Sequence, residues 1–145
     1  MFVVSKLPGE GLELSRSMQN MVLVLAEMWA RALRKNPLPP FYQCAIRYRP
    51  EPIQSLAEEW VDPYVVKQRG HGDCDDLVIW RLAELINQEG WTLEQGVQAL
   101  PAWPAVAWLK GTGRYHVLIR HRDGTLEDPA KAMLQKYGEQ PQRKT

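Results

Sequence analysis

The chain predicts a single α+β domain, and three observations carry that reading. Apolar residues recur at helical spacing from Met18 to Leu33 and again from Leu77 to Ile86. Three short alternating segments separated by glycine turns occupy residues 105–127. A length of 145 residues with 45% hydrophobic content supports one core and is too short for two comfortable domains. The domain is expected to span residues 1–137, with 138–145 as a polar tail that frays.

Ser15 is the expected N-cap of the first helix, placed at residues 15–34, where Met18, Met21, Val22, Leu25, Met28, Trp29 and Leu33 share one face. Its most apolar stretch, Met21 to Ala26, is flanked by Gln19, Asn20, Glu27 and Arg31. That is too short and too polar for a span of ~20 apolar residues, so it reads as a buried core helix and no membrane is expected. Asn36-Pro37-Leu38-Pro39-Pro40 stops it. An extended piece at 44–48 and a short helix at 53–60 follow, separated by Pro50 and Pro52 and ended by Asp62-Pro63.

The next helix starts at Cys74, carries Leu77, Trp80, Ala83, Leu85 and Ile86 on one face, and closes at Gly90. Thr92, followed by Glu94 and Gln95, reads as a capped turn opening a short helix to about Leu100. Strands at 105–110, 115–122 and 125–127, joined by Gly111-Thr112-Gly113 and Asp123-Gly124, give an antiparallel meander.

Charge and cysteine count narrow the function classes. Lys and Arg number 18 against 17 for Asp and Glu, so a net charge of +1 gives no reason to expect nucleic acid. Two cysteines, Cys44 and Cys74, do not make a disulfide scaffold, and a reducing compartment fits. The opening Met1-Phe2-Val3-Val4-Ser5-Lys6 lacks a basic segment followed by an apolar run, so export is not expected and a cytoplasmic location is.

The chemistry concentrates in Gly70-His71-Gly72-Asp73-Cys74-Asp75-Asp76, which delivers a cysteine through a glycine turn onto the first turn of a helix. Unpaired backbone N–H groups and the positive end of the helix dipole both favour the thiolate there. Asp73 is the natural N-cap. Three neighbouring carboxylates act against the thiolate, which therefore needs an imidazolium close by. The ordinary reading of Cys74 is a small buried apolar residue; the polarity of Asp73, Asp75 and Asp76 argues for a first turn that is not wholly inside the core.

His116 lies on the second strand, with His121 as its competitor. Alternation puts His116, Leu118 and Arg120 on one face and Val117, Ile119 and His121 on the other, so only one histidine can face the cysteine. His71, flanked by glycines, reads as a loop residue at a cleft edge. Asp128 before Pro129 could be a plain turn residue. The turn geometry discriminates: a two-residue loop at Asp123-Gly124 would pair Asp128 with Ile119, away from His116. A three-residue loop at 122–124 with Gly124 left-handed would pair it with Leu118, diagonal to His116 on the same face. A metal reading fails on spacing, because neither alternating oxygen donors ending in Glu nor paired Cys and His are present. The tryptophans read as core and groove lining, and Cys44 as a buried strand residue.

The run from Gly70 to Asp76, the helix behind it, the strand opening at His116-Val117, and Asp128-Pro129 resemble the transglutaminase-like branch of the papain-like cysteine hydrolases. Ile46-Arg47-Tyr48-Arg49-Pro50-Glu51-Pro52 and Asp62-Pro63-Tyr64 look like the lead-in of its bacterial and phage members, so the resemblance covers about residues 46–129 and leaves out the first helix. It implies Cys74 as nucleophile, His116 as base and Asp128 as orienting acid, with the cysteine helix packed on an antiparallel sheet. Neither cofactor nor metal is implied. One oxyanion donor would be the Cys74 backbone N–H; Gln43, Trp60 or another upstream group is the open choice for the second. The implied reaction is cysteine-dependent acyl transfer, by hydrolysis or transamidation, on a protein or peptide substrate. The family also contains inactive members, and short versions carrying this motif resemble phage structural and assembly proteins, so a silent binding module with an assembly partner, virion-associated if phage-encoded, is the alternative.

Overall fold

Both long periodic segments are helices, and the alternating C-terminal segments form a three-stranded meander. The computed structural model describes residues 2–5, 11–50, 58–109 and 114–138. In chain order the elements are β1 (Phe2–Ser5), α1 (Gly11–Lys35), β2 (Arg47–Tyr48), β3 (Glu58–Val61), α2 (Pro63–Arg69) and β4 (His71–Gly72). They continue with α3 (Cys74–Glu89), β5 (Ala102–Leu109), β6 (Arg114–His121), β7 (Leu126–Glu127) and α4 (Pro129–Tyr137). This is an α+β fold whose described residues contain four α-helices and three small sheets: β1–β3 antiparallel, β2–β4 parallel, and β5–β6–β7 antiparallel.

The core is one cluster. Met18, Val22 and Leu25 from α1, Leu77, Val78 and Ile79 from α3, Val117 and Ile119 from β6, and Ala130 and Met133 from α4 are all buried in it. α3 is the central element, packed against α1, β6, β5 and α4. Among the described residues no helix is long and apolar enough to cross a membrane.

Several boundaries differ from the sequence expectation, each for a physical reason. α1 starts at Gly11, so Ser15 lies inside the helix; Leu12, Glu13 and Leu14 are all good helix formers, and a helix interior tolerates a serine at small cost. The extended piece expected at 44–48 is strand only at Arg47–Tyr48, after a 3-10 turn at Phe41–Gln43. The helix expected at 53–60 is contradicted at its end, where Glu58–Val61 is strand paired with Phe2–Ser5; residues 51–57 lie outside the described residues. Cross-strand pairing by Trp60 and Val61 overrides the local helical pattern there.

Asp62-Pro63 does not end a helix. It starts one: Asp62 accepts from the Val65 N–H at 2.9 Å, and Pro63 takes the first helical position, where its missing N–H costs nothing. The segment after Thr92 is two 3-10 turns, Leu93–Gln95 and Val97–Ala99. β5 begins three residues before the expected 105 and includes Pro104, which an edge strand accommodates. The turn at 111–113 and the tail from 139 onward lie outside the described residues.

Candidate active site

Cys74 is the first residue of α3, and the local sequence explains how it gets there. β4 runs beside β2 in parallel, with Arg47 N–H donating to Gly70 C=O and Arg49 N–H to Gly72 C=O, both at 2.8 Å. A Cβ on Gly72 would lie 3.2 Å from both Asp76 Cβ and Leu77 Cδ2, so a larger residue would need these side chains to give by a few tenths of an ångström for the strand to pass so close to the start of α3. Asp73 then caps the helix as expected. Its Oδ1 accepts from the Asp76 N–H at 3.0 Å, and Asp76 Oδ2 reciprocates on the Asp73 N–H at 3.3 Å.

The expectation that the first turn is not wholly inside the core is overturned. Cys74 is 8% exposed, Asp73 6%, Asp75 2% and Asp76 4%. Mutual capping, with a further hydrogen bond from the Val61 N–H to Asp76 Oδ1 at 2.9 Å, gives Asp73 and Asp76 backbone partners inside the fold. Burial, and after it the neighbouring Asp75 carboxylate, push Asp76 well above the usual carboxylate range, against the donors from Val61 and Asp73. Donor atoms of Asp73, Asp75 and Asp76 lie within 4.8 Å of one another, and Asp73 Oδ1 and both carboxylate oxygens of Asp76 accept from backbone N–H groups.

His116 and Asp128 come together. His116 Nε2 and Asp128 Oδ2 are 2.7 Å apart, both side chains about one-quarter exposed. The register that allows it is the three-residue loop: Ile119 pairs with Glu127 and Arg120 with Leu126, while the His121 N–H donates to Thr125 C=O. Gly124 has φ +90°, the left-handed conformation this loop requires. Asp128 has a second task that the turn reading missed. Its Oδ1 accepts from the Lys131 N–H at 3.1 Å and caps α4, with Pro129 at the first helical position. Burial raises its carboxyl, but the His116 hydrogen bond and the Lys131 N–H outweigh that and hold it below the usual range.

The three residues sit on mutually packed elements. α3, which Cys74 opens, packs against β6, which carries His116, and against α4, which Asp128 caps. α4 also packs against β2, the partner of the strand leading into Cys74.

The other histidines are occupied elsewhere. Strand parity holds, with Val117 and Ile119 fully buried, and His121 Nε2 lies 2.8 Å from Glu127 Oε1. His71 is not in a loop but in β4, its Nδ1 3.5 Å from Arg69 Nη2. Burial, then Arg69 and Arg49, lower its pKa. Cys44 is buried but follows a 3-10 turn rather than lying in a strand, and neither cysteine is in a disulfide. Of the candidate oxyanion donors, Gln43 is exposed and Trp60 is buried in β3.

The sequence reading missed a cluster around Glu127, the residue before Asp128. Glu127 accepts from Tyr42 Oη and from Arg81 Nε at 2.7 Å, and Arg81 also reaches Glu84 at 3.2 Å and lies over the Tyr42 ring. Burial raises Glu127, but its donors Tyr42, Arg81 and His121 hold it below the usual range. Only the Arg81–Glu84 pair, three residues apart on one helix, had a local signal.

No family model, curated protein or solved structure matches the chain.

Proposed function

We propose that this chain is a transglutaminase-like cysteine acyl-transfer enzyme acting on amide bonds of a protein or peptide. The Cys74 thiolate attacks the amide carbonyl to form a tetrahedral intermediate. On its collapse His116 protonates the leaving amine, and the acyl group remains on sulfur as a thioester. Water or a second amine then releases the acyl group and restores the thiol. Asp128 holds the imidazole, and the backbone N–H of Cys74 at the start of α3 is the oxyanion donor this reading assigns. The observation that carries this reading is the 2.7 Å His116–Asp128 hydrogen bond, made by a carboxylate that the cap of α4 fixes in place. No cofactor enters the scheme.

One observation favours a second reading, a catalytically silent binding or assembly module: Cys74 is only 8% exposed and belongs to the core cluster. Amide and peptide libraries presented with and without an amine acceptor separate the two. Turnover that Cys74→Ala abolishes, with a melting temperature within a few degrees of the parent, is the expected result. Turnover that persists in Cys74→Ala would sink the acyl-transfer reading, and a large fall in melting temperature without any turnover would favour the module.

A further inference from the structure

From the sheet face that carries His116 we infer a substrate subsite for an extended acidic peptide, with a carboxylate about four residues from the reacting amide; this rests on the acyl-transfer reading. The β5–β6 register pairs His116 with Ala107, Leu118 with Ala105, and Arg120 with Trp103, all on one face. At ~3.3 Å per residue, the step from His116 to Arg120 covers about 13 Å, the span of four residues of extended peptide. Ala107 is exposed and Ala105 half-buried, so the β5 side of this track is low where a larger side chain would fill it.

The far end opens into a groove of about 580 Å³ between α1 and the sheet, lined by Gln19, Leu23, Trp103, Ala105, Arg120 and Arg122 among others. Its charge has one sign. None of the described lining residues is a carboxylate, Arg120 is exposed and has no carboxylate partner among the described residues, and Arg122 is pinned by a 2.7 Å hydrogen bond from Nη2 to Leu100 C=O. Gln19 Nε2 donates to Pro104 C=O at 3.2 Å and ties α1 to the β5 edge. Two guanidiniums beside a half-buried tryptophan suit a carboxylate on an apolar stem. The +1 balance of the whole chain argues for a short acidic segment over a polyanion such as nucleic acid.

The test uses the full chain and a dye-labelled twelve-residue peptide amide with a central glutamine and glutamates four residues to either side. A copy with lysines replacing the glutamates and a twelve-nucleotide single-stranded DNA serve as comparisons. Fluorescence anisotropy is expected to show binding of the acidic peptide that weakens at least tenfold in Arg120→Glu, weakens less in Arg120→Lys, and falls with added salt. The same peptide should slow iodoacetamide alkylation of Cys74, followed by mass spectrometry, and fail to do so in Arg120→Glu. Arg120 is exposed, so an unchanged melting curve checks that the variant is folded.

Equal binding of the lysine peptide, tighter binding of the DNA, indifference to Arg120→Glu, or binding without protection of Cys74 would each overturn the subsite. The alkylation profile of His116→Ala without peptide reports separately on the acyl-transfer reading. A His116-dependent profile without Arg120-dependent binding removes the subsite alone, and a His116-independent profile removes both.

Discussion

Asp128→Asn is expected to leave the fold standing and to slow acylation of Cys74 by p-nitrophenyl acetate by roughly 10²–10⁴-fold, the range in which general-base geometry acts. The two tasks of Asp128 separate in this variant. Asparagine caps a helix about as well as aspartate, so the hydrogen bond to the Lys131 N–H and the start of α4 survive. It cannot offer His116 a charged acceptor, so the ring loses the partner that fixes its tautomer and orientation. Asp128→Ala, which removes the cap as well, should cost about 1 kcal/mol more stability. Acylation at the parent rate in Asp128→Asn, with the melting curve unchanged, would mean the pair is structural.

Acid denaturation offers a check on the same residue. Because its folded carboxyl titrates below the ordinary value, its contribution to stability is complete above about pH 3.9 and is lost as pH falls through the folded value. Asp128→Asn should therefore flatten that part of the stability profile.

The second large effect lies in the core. Trp80→Ala should lose about 3–5 kcal/mol, because Trp80 is fully buried on α3 with its ring edge-on to Phe41 at 5.1 Å, and Phe41 is itself fully buried. For a chain of this size the melting temperature should fall by about 10–16 °C. Trp80→Phe gives the contrast. It keeps an aromatic contact with Phe41 and removes an indole N–H that is buried without a partner among the described residues, so its cost should stay below about 1.5 kcal/mol. Equal losses in the two variants would show that ring volume beside Phe41 does not govern this part of the core.

The elements that were legible in the sequence are those whose signal is local. α3 announces itself by apolar spacing, by Asp73 before it and by Gly90 after it, and the meander by alternation between glycine turns. The register of Asp128 followed from asking which loop places it on the face of His116, and Gly124 adopts the conformation that loop needs.

Two helices escaped because Asp-Pro was read as punctuation. At Asp62-Pro63 and Asp128-Pro129 the aspartate accepts from the N–H three residues on and the proline opens the helix, a pattern that reads as a stop only when the residues before it are considered. The pairs β1–β3 and β2–β4 join segments far apart in the chain through four and two residues respectively, too few to leave a periodic trace. The burial of Asp73, Asp75 and Asp76 was not legible because the polarity of three adjacent carboxylates argues for solvent, whereas backbone N–H groups of the turn and of Val61 in β3 satisfy Asp73 and Asp76 inside the fold.

The rate of iodoacetamide alkylation of Cys74 against pH, resolved by mass spectrometry from that of Cys44, tests the account most directly. In the proposed pair with His116, the Cys74 sulfur at the start of α3 should carry reactive thiolate below the free-thiol value of about 8.5, in spite of the carboxylates around it. The predicted profile has a shoulder below neutrality that disappears in His116→Ala, while Cys44, raised by burial, stays slow throughout. A single titration step for Cys74 at the free-thiol value, the same with and without His116, would contradict the account.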